Sequence, residues 1–273
     1  MTHIQIDASQ GSWVARVGEA LARRELLWIL VRRDLAVRYR EALLGVAWAV
    51  LVPVATLGVY WFVFDVIFER RRSDVPYVLF LFPAMLVWGY FNSSVGRAAQ
   101  SLIRDASLLS KVYFPRLLLP VSNVLSPLVD AAIGLVALLV IFALYRHAPG
   151  AELVWFPFFL LMAIAAATGV GTLMAAWNSR FKDVQHFLPV MLHLWFFSSP
   201  VLYSTTFVSE RFRLFYALNP MVTVCEGVRF AVLGSELAVT PAMIAIGVGS
   251  TLVLLAAGLA SFLRTEQTIT DVL

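Results

Sequence analysis

Across 273 residues, the side chains able to do chemistry are few and scattered. The four histidines, His3, His147, His186 and His193, have no spacing suited to a metal. The chain also holds no G-x-x-x-x-G-K-[ST], no G-x-G-x-x-G after a strand and no H-E-x-x-H. No catalytic residue and no metal ligand is therefore expected, and nothing here is expected to hydrolyse ATP. Cys225, the single cysteine, excludes an intrachain disulfide and reads as a small buried thiol. Two polar residues draw attention by their surroundings. Asp130 stands about thirteen residues into the apolar run that contains "SPLVDAAIGLVALLV", near its middle, and His193 lies inside another such run. An acid within a membrane span marks a functional position by default. With no Lys, Arg or His in the neighbouring runs to share its proton, an acid hydrogen-bonded to an adjacent helix is the preferred reading. For His193, packing or a helix-to-helix hydrogen bond is preferred over proton relay.

The elements that hold these residues follow from composition. With 60% hydrophobic and 14% charged residues and a mean hydropathy of +0.82, the chain carries more apolar surface than a soluble domain of this length can bury. The fold class is an all-α integral membrane protein. Apolar runs at about 43–68, 77–96, 117–145, 153–178, 187–205 and 241–263 predict six spans, each near or above the roughly 20 residues that cross a bilayer. Between the last two lies "FRLFYALNPMVTVCEGVRFAVLG", apolar but broken by Asn219-Pro220 and carrying Glu226 and Arg229. It reads as two short re-entrant helices at about 210–236, because a break at membrane depth must be satisfied by protein or a wet cavity. A seventh span is the alternative.

Fourteen of the 21 Lys and Arg residues fall in segments that share one side if the N-terminus is inside. This excess predicts a cytoplasmic N-terminal segment, 1–42, and a cytoplasmic tail, 264–273, flanking a transmembrane domain over 43–263. No short hydrophobic segment with a small-residue cleavage site precedes the first span, so a cleaved signal peptide is not expected. The outward triplet Arg70, Arg71 and Arg72 runs against the trend and reads as a solvated hairpin tip or an anionic contact.

Before the first span, "ELLWILVRRDLAVRYREALLG" places Leu27, Leu30, Val31, Asp34, Leu35 and Arg38 at helical spacing, beside the basic group Arg32, Arg33, Arg38 and Arg40. It predicts an interfacial amphipathic helix. Its apolar face would lie among acyl chains and its arginines would reach anionic headgroups, at roughly 1 kcal/mol each. A docking role for a cytoplasmic partner or an anionic lipid-linked substrate stays open. Aromatic residues form two stripes. Tyr60, Phe64 and Phe68 repeat at i, i+4, i+8, and Trp195, Phe196 and Tyr203 share a face with Leu192 and Ser199. Packing or lipid contact is the default explanation; the alternative is a stacking track for the C–H faces of sugar rings. The polar interruption "RDASLLSKVYFPR", 104–116, can form a short helix with Asp105 or Ser107 as N-cap, Leu108 and Leu109 as an apolar knob, Lys111 near its C-terminal end and Pro115 as a stop. Such a knob with charged shoulders, Arg104 and Asp105 among them, suits a cleft on a soluble partner. A solvated turn is the alternative.

Together, "ELLWILVRRDLAVRYREALLGVAWAVLVPV", "IRDASLLSKVYFPRLLLPV", "NSRFKDVQHFLPVMLHLWFFSSPVLYS" and "LNPMVTVCEGVRFAVLG", in this order, resemble the membrane subunit of bacterial ATP-binding-cassette exporters of cell-surface polysaccharide. The likeness covers about residues 25–263 and is strongest to the O-antigen (lipopolysaccharide) permease group, with capsule and teichoic-acid permeases as relatives. The resemblance implies a type-2 exporter fold and a homodimer whose halves line one channel. It further implies two copies of a cytoplasmic ATPase that bind ATP and Mg, a lipid-pyrophosphate-linked polysaccharide as substrate, and a place among the lipids of the bacterial inner membrane. It also makes 104–116 the coupling segment that sits in the ATPase. No cofactor of this chain's own and no nucleic acid is implied. The competing readings are a type-2 exporter of a lipid or small lipophilic molecule and, from another class, a membrane-embedded glycosyl- or acyltransferase. The second is disfavoured because no paired carboxylates or His-Asp arrangement sits at a membrane edge.

Overall fold

The computed structural model describes residues 18, 23–40, 45–67, 76–109 and 114–269. Phe68, the arginine triplet at 70–72 and Lys111 lie outside them. Every described element is helical. In chain order these are α1 (Arg24–Arg40), α2 (Trp48–Trp61, running into a π-helical stretch Phe62–Ile67), α3 (Tyr77–Arg104), α4 (Ala106–Leu109) and α5 (Leu118–Leu125). There follow α6 (Pro127–Leu144), α7 (Phe156–Asn178), α8 (Val184–Phe197), α9 (Glu210–Tyr216), α10 (Pro220–Leu233) and α11 (Pro241–Ile269).

Four stretches, Tyr77–Arg104, Leu118–Leu144, Ala151–Asn178 and Pro241–Glu266, are apolar and 26 to 28 residues long. At about 1.5 Å per residue each exceeds the ~30 Å of a bilayer's hydrocarbon. Two further apolar helices, Trp48–Phe64 and Val184–Phe197, are shorter. The run read as a fifth span over 187–205 is helical only to Phe197. Pro200 has no N–H to continue the ladder, and the side chains of Ser198 and Ser199 donate back to the carbonyls of Leu194 and Trp195, both at 2.9 Å. Asn219 then donates to the Ser198 carbonyl at 3.0 Å, so the helix end is satisfied within the protein.

The α3 helix is the centre of the bundle. Its apolar window is 72% buried, against 22% for Leu118–Leu144 and for Pro241–Glu266, whose remaining surface is left for lipid or a second chain. It packs on α5, α6, α7 and α10. The α7 and α11 helices meet backbone to backbone. A Cβ on Gly258 would fall 2.0 Å from the Gly169 carbonyl oxygen, and one on Gly169 2.6 Å from the backbone of Leu254. Small residues permit such an approach, which in lipid supplies packing where no hydrophobic drive exists between helices. Residues 210–236 hold the short helices α9 and α10. Asn219 caps α10 by accepting from the Met221 N–H at 3.0 Å, and Gly234 ends it at φ 64°, the left-handed conformation that suits glycine.

The N-terminal helix α1 differs from its expected placement. Leu30, Val31 and Asp34, read as a face for acyl chains, are buried against the bundle, where α1 packs on α5 and Leu30 joins Leu102, Phe114 and Leu117. Trp28 and Ile29 are exposed on its other side, and Val37 is exposed at the edge of the buried face. A face that carries a carboxylate is poorly suited to hydrocarbon, and the bundle offers that carboxylate arginine partners instead.

Candidate functional site

The charges of α1 meet those of the bundle in one cluster centred on Asp34. Its carboxylate accepts from Ser126 Oγ at 2.6 Å, from Arg38 at 3.2 Å, from Arg104 at 3.2 Å and from Arg97 at 3.4 Å. These groups come from α1, the C-terminal half of α3, and the α5–α6 junction. Arg104 also donates to Asn123 of α5. On one flank Arg38 and Tyr39 both donate to Asp130 of α6. On the other, Arg33 donates to Asp105 at 2.7 Å. Burial alone would raise the Asp34 carboxyl, but the Ser126 hydroxyl and the guanidinium groups of Arg97, Arg104 and Arg38 outweigh it and hold the carboxyl below its usual range. Tyr39 is pushed up, first by burial and then by its bond to Asp130, and stays a donor. The cluster ties α1 to α3, the 104–109 turn and α6.

Several expected roles change in this light. Arg33 and Arg38, read as headgroup contacts, use their charges inside the chain, whereas Arg32 and Arg40 are exposed, Arg32 with its guanidinium 5.8 Å from the Trp28 ring centre. Arg104 and Asp105, read as shoulders of a docking knob, are likewise engaged within the chain. Asp105 directs its carboxylate to Arg33 while its backbone carbonyl accepts from the Leu108 N–H at 3.0 Å. Leu108 is half-buried against the Leu30–Leu102–Phe114 cluster. Arg116 closes the segment by donating to Glu266 at the end of α11. Asp130 is hydrogen-bonded to an adjacent helix, the preferred reading. That helix is α1, so Asp130 sits at the end of the bundle where α1 lies and not midway along its span.

A second buried pair fastens the opposite end of α3. Glu226 and Arg229 of α10 are 3% and 2% exposed and lie 2.9 Å apart. Arg229 spends its other donors on the carbonyls of Phe80 (2.9 Å), Pro200 (2.8 Å) and Val201 (3.1 Å), with its guanidinium 3.8 Å from the Phe80 ring centre. Glu226 accepts from the Thr205 N–H at 2.6 Å. One residue of α10 thereby holds both the start of α3 and the turn after α8.

The aromatic stripes come together between these ends. Tyr60 of α2 stacks on Phe196 of α8 with ring centres 6.2 Å apart, and Phe64 lies 5.8 Å from Tyr77. Trp88 and Phe91 of α3 fill the space behind, 5.7 Å from Phe196 and 5.2 Å from Trp195 respectively. Trp195 donates its indole N–H to Asn219 at 2.8 Å. Tyr203 is not on the helix face expected for it: α8 has ended, and its hydroxyl lies in the following turn, bonded to the Phe197 carbonyl and 3.0 Å from the Tyr216 hydroxyl. His193 faces outward with its ring 5.1 Å from that of Phe197.

Residues 25–233 match the ABC-2 type transporter family. The chain belongs to that family. Within it, the chain is similar to the O-antigen export system permease protein RfbA of Myxococcus xanthus, 37% identical over 210 residues that cover 76% of this chain and 80% of the relative. An RfbA of Klebsiella pneumoniae is 28% identical over 202 residues, covering 73% and 77%. The polysialic acid transport protein KpsM of Escherichia coli is 23% identical over 249 residues, covering 87% and 92%.

For an ABC-2 transporter chain, a membrane subunit built for transport, the useful residues are those that fix helices relative to one another. Sequence reasoning missed three of them: Asp34 as the centre of a cluster, and Trp88 and Phe91 as the backing of the aromatic group. A signal for Asp34 was present, since it is the one acid on an apolar helical face that otherwise carries arginine. For Trp88 and Phe91 no signal separates them from the many apolar residues of α3.

Proposed function

We propose that this ABC-2 chain is the permease subunit of an ATP-driven exporter of cell-surface polysaccharide, of the O-antigen type, in the bacterial inner membrane. The observation that carries it is the 37% identity, across three quarters of the chain, to a protein named as an O-antigen export permease. Two copies form the channel, and two copies of a separate cytoplasmic ATPase supply ATP and Mg chemistry. A polysaccharide on a lipid-pyrophosphate carrier is the cargo. Six spans are counted by adding Trp48–Phe64 and Val184–Phe197 to the four long stretches, with α9 and α10 re-entrant from the outer side and both termini cytoplasmic. The 104–116 segment couples to the ATPase. Arg33 bonded to Asp105 and Arg104 bonded to Asp34 support this, because a push on that turn is passed directly to α1 and α3.

The topology has a direct check. Cysteines introduced at positions 2 and 268 should both be labelled from the cytoplasmic side alone, and labelling of position 268 from outside would require an odd number of spans. The aromatic group has its own. If Tyr60, Phe64 and Phe196 line a stacking track, alanine at each should lower surface polysaccharide while dimer assembly and ATPase retention persist. Variants that fail to insert or assemble would assign the rings to packing, a role to which fully buried Phe91 already belongs.

A further inference from the structure

Along one face α3 departs from the character of a membrane helix. Asn92, Ser93 and Gln100 are exposed there, although most of the helix is buried. Amides are poorly placed against lipid, so this face must meet water, a ligand or protein. Opposite stands α8, and between them lies a cleft of about 180 Å³. Its polar lining is Asn92 and Gln100 of α3, Asn178 at the end of α7 and Gln185 of α8; Leu188 and Leu192 of α8 supply an apolar wall. Among the described residues no ionised side chain lines it.

Asn178 is the telling residue. It is 3% exposed, and its amide nitrogen donates to the Ala99 carbonyl at 2.9 Å, which fixes which way the amide points. Asn178 borders the cleft, and its side-chain oxygen, shielded just beneath the wall, has no hydrogen-bond partner among the described residues. A buried amide carbonyl without a donor is costly, and native proteins rarely leave one so unless something supplies the donor.

We propose that this cleft is a binding subsite for one neutral sugar ring of the transported glycan. The proposal rests on the reading of the chain as a polysaccharide permease and names a place where the polymer is held. Binding shifts the shielded Asn178 side chain towards the cleft, where a hydroxyl group donates to its Oδ1. Other hydroxyls exchange hydrogen bonds with the amides of Asn92, Gln100 and Gln185, which can each donate and accept. The C–H face of the ring rests on Leu188 and Leu192. Drug-sized ligands fill pockets of roughly 300–1,000 Å³, so a cleft of about 180 Å³ takes a single ring of a longer chain. The absence of charge in the lining selects neutral units over acidic ones and holds each ring weakly enough to let it pass.

The test uses the full permease with its ATPase, in cells lacking the chromosomal copy. Gln100→Leu/Gln185→Leu alters only exposed positions and should cut surface polysaccharide roughly tenfold, the loss expected for one or two hydrogen bonds. The dimer and the co-purifying ATPase should stay at wild-type levels. In a second arm Gln185→Cys is labelled with a maleimide in permeabilised cells; labelling should be slower when the native polymer is being made than when its first glycosyltransferase is deleted. Wild-type export by the double variant, or equal labelling rates in the two strains, overturns the subsite. Loss of the dimer also overturns it and makes the cleft a contact between copies. Failure of the polysaccharide reading itself is separately visible, since the wild-type chain would then restore no surface polysaccharide.

Discussion

Arg229→Leu should lower the thermal midpoint of the detergent-solubilised protein by roughly 10 °C, corresponding to a loss of about 3–5 kcal/mol. The substitution leaves Glu226 as a buried carboxylate held by the Thr205 N–H, and it strips donors from the carbonyls of Phe80, Pro200 and Val201 in one step. Removing the charge as well should recover much of the loss, because a buried pair replaced by apolar groups of similar size is often close to neutral. Glu226→Leu/Arg229→Leu is therefore expected to be more stable than Arg229→Leu alone. Size-exclusion profiles after heating measure both. An Arg229→Leu protein as heat-resistant as the wild type would mean that this corner does not hold α10 to α3.

Asp34→Asn should free the N-terminal helix without preventing insertion. It leaves Arg38, Arg97 and Arg104 facing one another, and a cost of about 3 kcal/mol follows from breaking a largely buried cluster by removing one partner. The lower end of the range applies because the Arg104 side chain is 40% exposed. Leu30, buried in the wild type, reports on the outcome: Leu30→Cys should resist a maleimide in the parent and react in the Asp34→Asn background, with ATPase co-purification falling alongside. A Leu30→Cys that stays shielded in both would show that apolar contacts alone hold α1. The sign of any pH dependence is also fixed. Because the Asp34 carboxyl is held below its usual range, its contribution is complete above that range and is lost only as pH falls through the depressed value. ATPase retention by the wild type should thus be level between about pH 6 and pH 8.

Much of the architecture was legible because hydrocarbon imposes length and apolarity on whatever crosses it. The runs read at 117–145 and 153–178 correspond to Leu118–Leu144 and Ala151–Asn178. The helical spacing of 25–40 likewise announced α1. What escaped were pairings between distant positions. Asp34 meets residues 63 to 92 positions away, and no local pattern says which arginine will fold back on which acid. The ion pairs of Arg33 and Arg38 escaped for that reason: a basic helix beside a membrane looks the same whether its charges face lipid or the carboxylates of Asp105 and Asp130. The end of α8 was hidden differently. Hydropathy continues through Val201 and Leu202, while the backbone turns at Ser198 because Pro200 breaks the ladder and Asn219, twenty-one residues on, accepts the task of satisfying the helix end. Tyr203, counted on a helical face, fell into the turn in consequence.

The central claim, that this chain carries polysaccharide out across the inner membrane, is tested most directly by deleting its gene from its own genome while leaving the polymer-synthesis genes and the ATPase intact, and measuring polysaccharide at the cell surface. Surface polysaccharide should disappear, lipid-linked polymer should accumulate inside, and the wild-type chain supplied in trans should reverse both. Unchanged surface polysaccharide in the deletion strain, with no polymer retained inside, would contradict it.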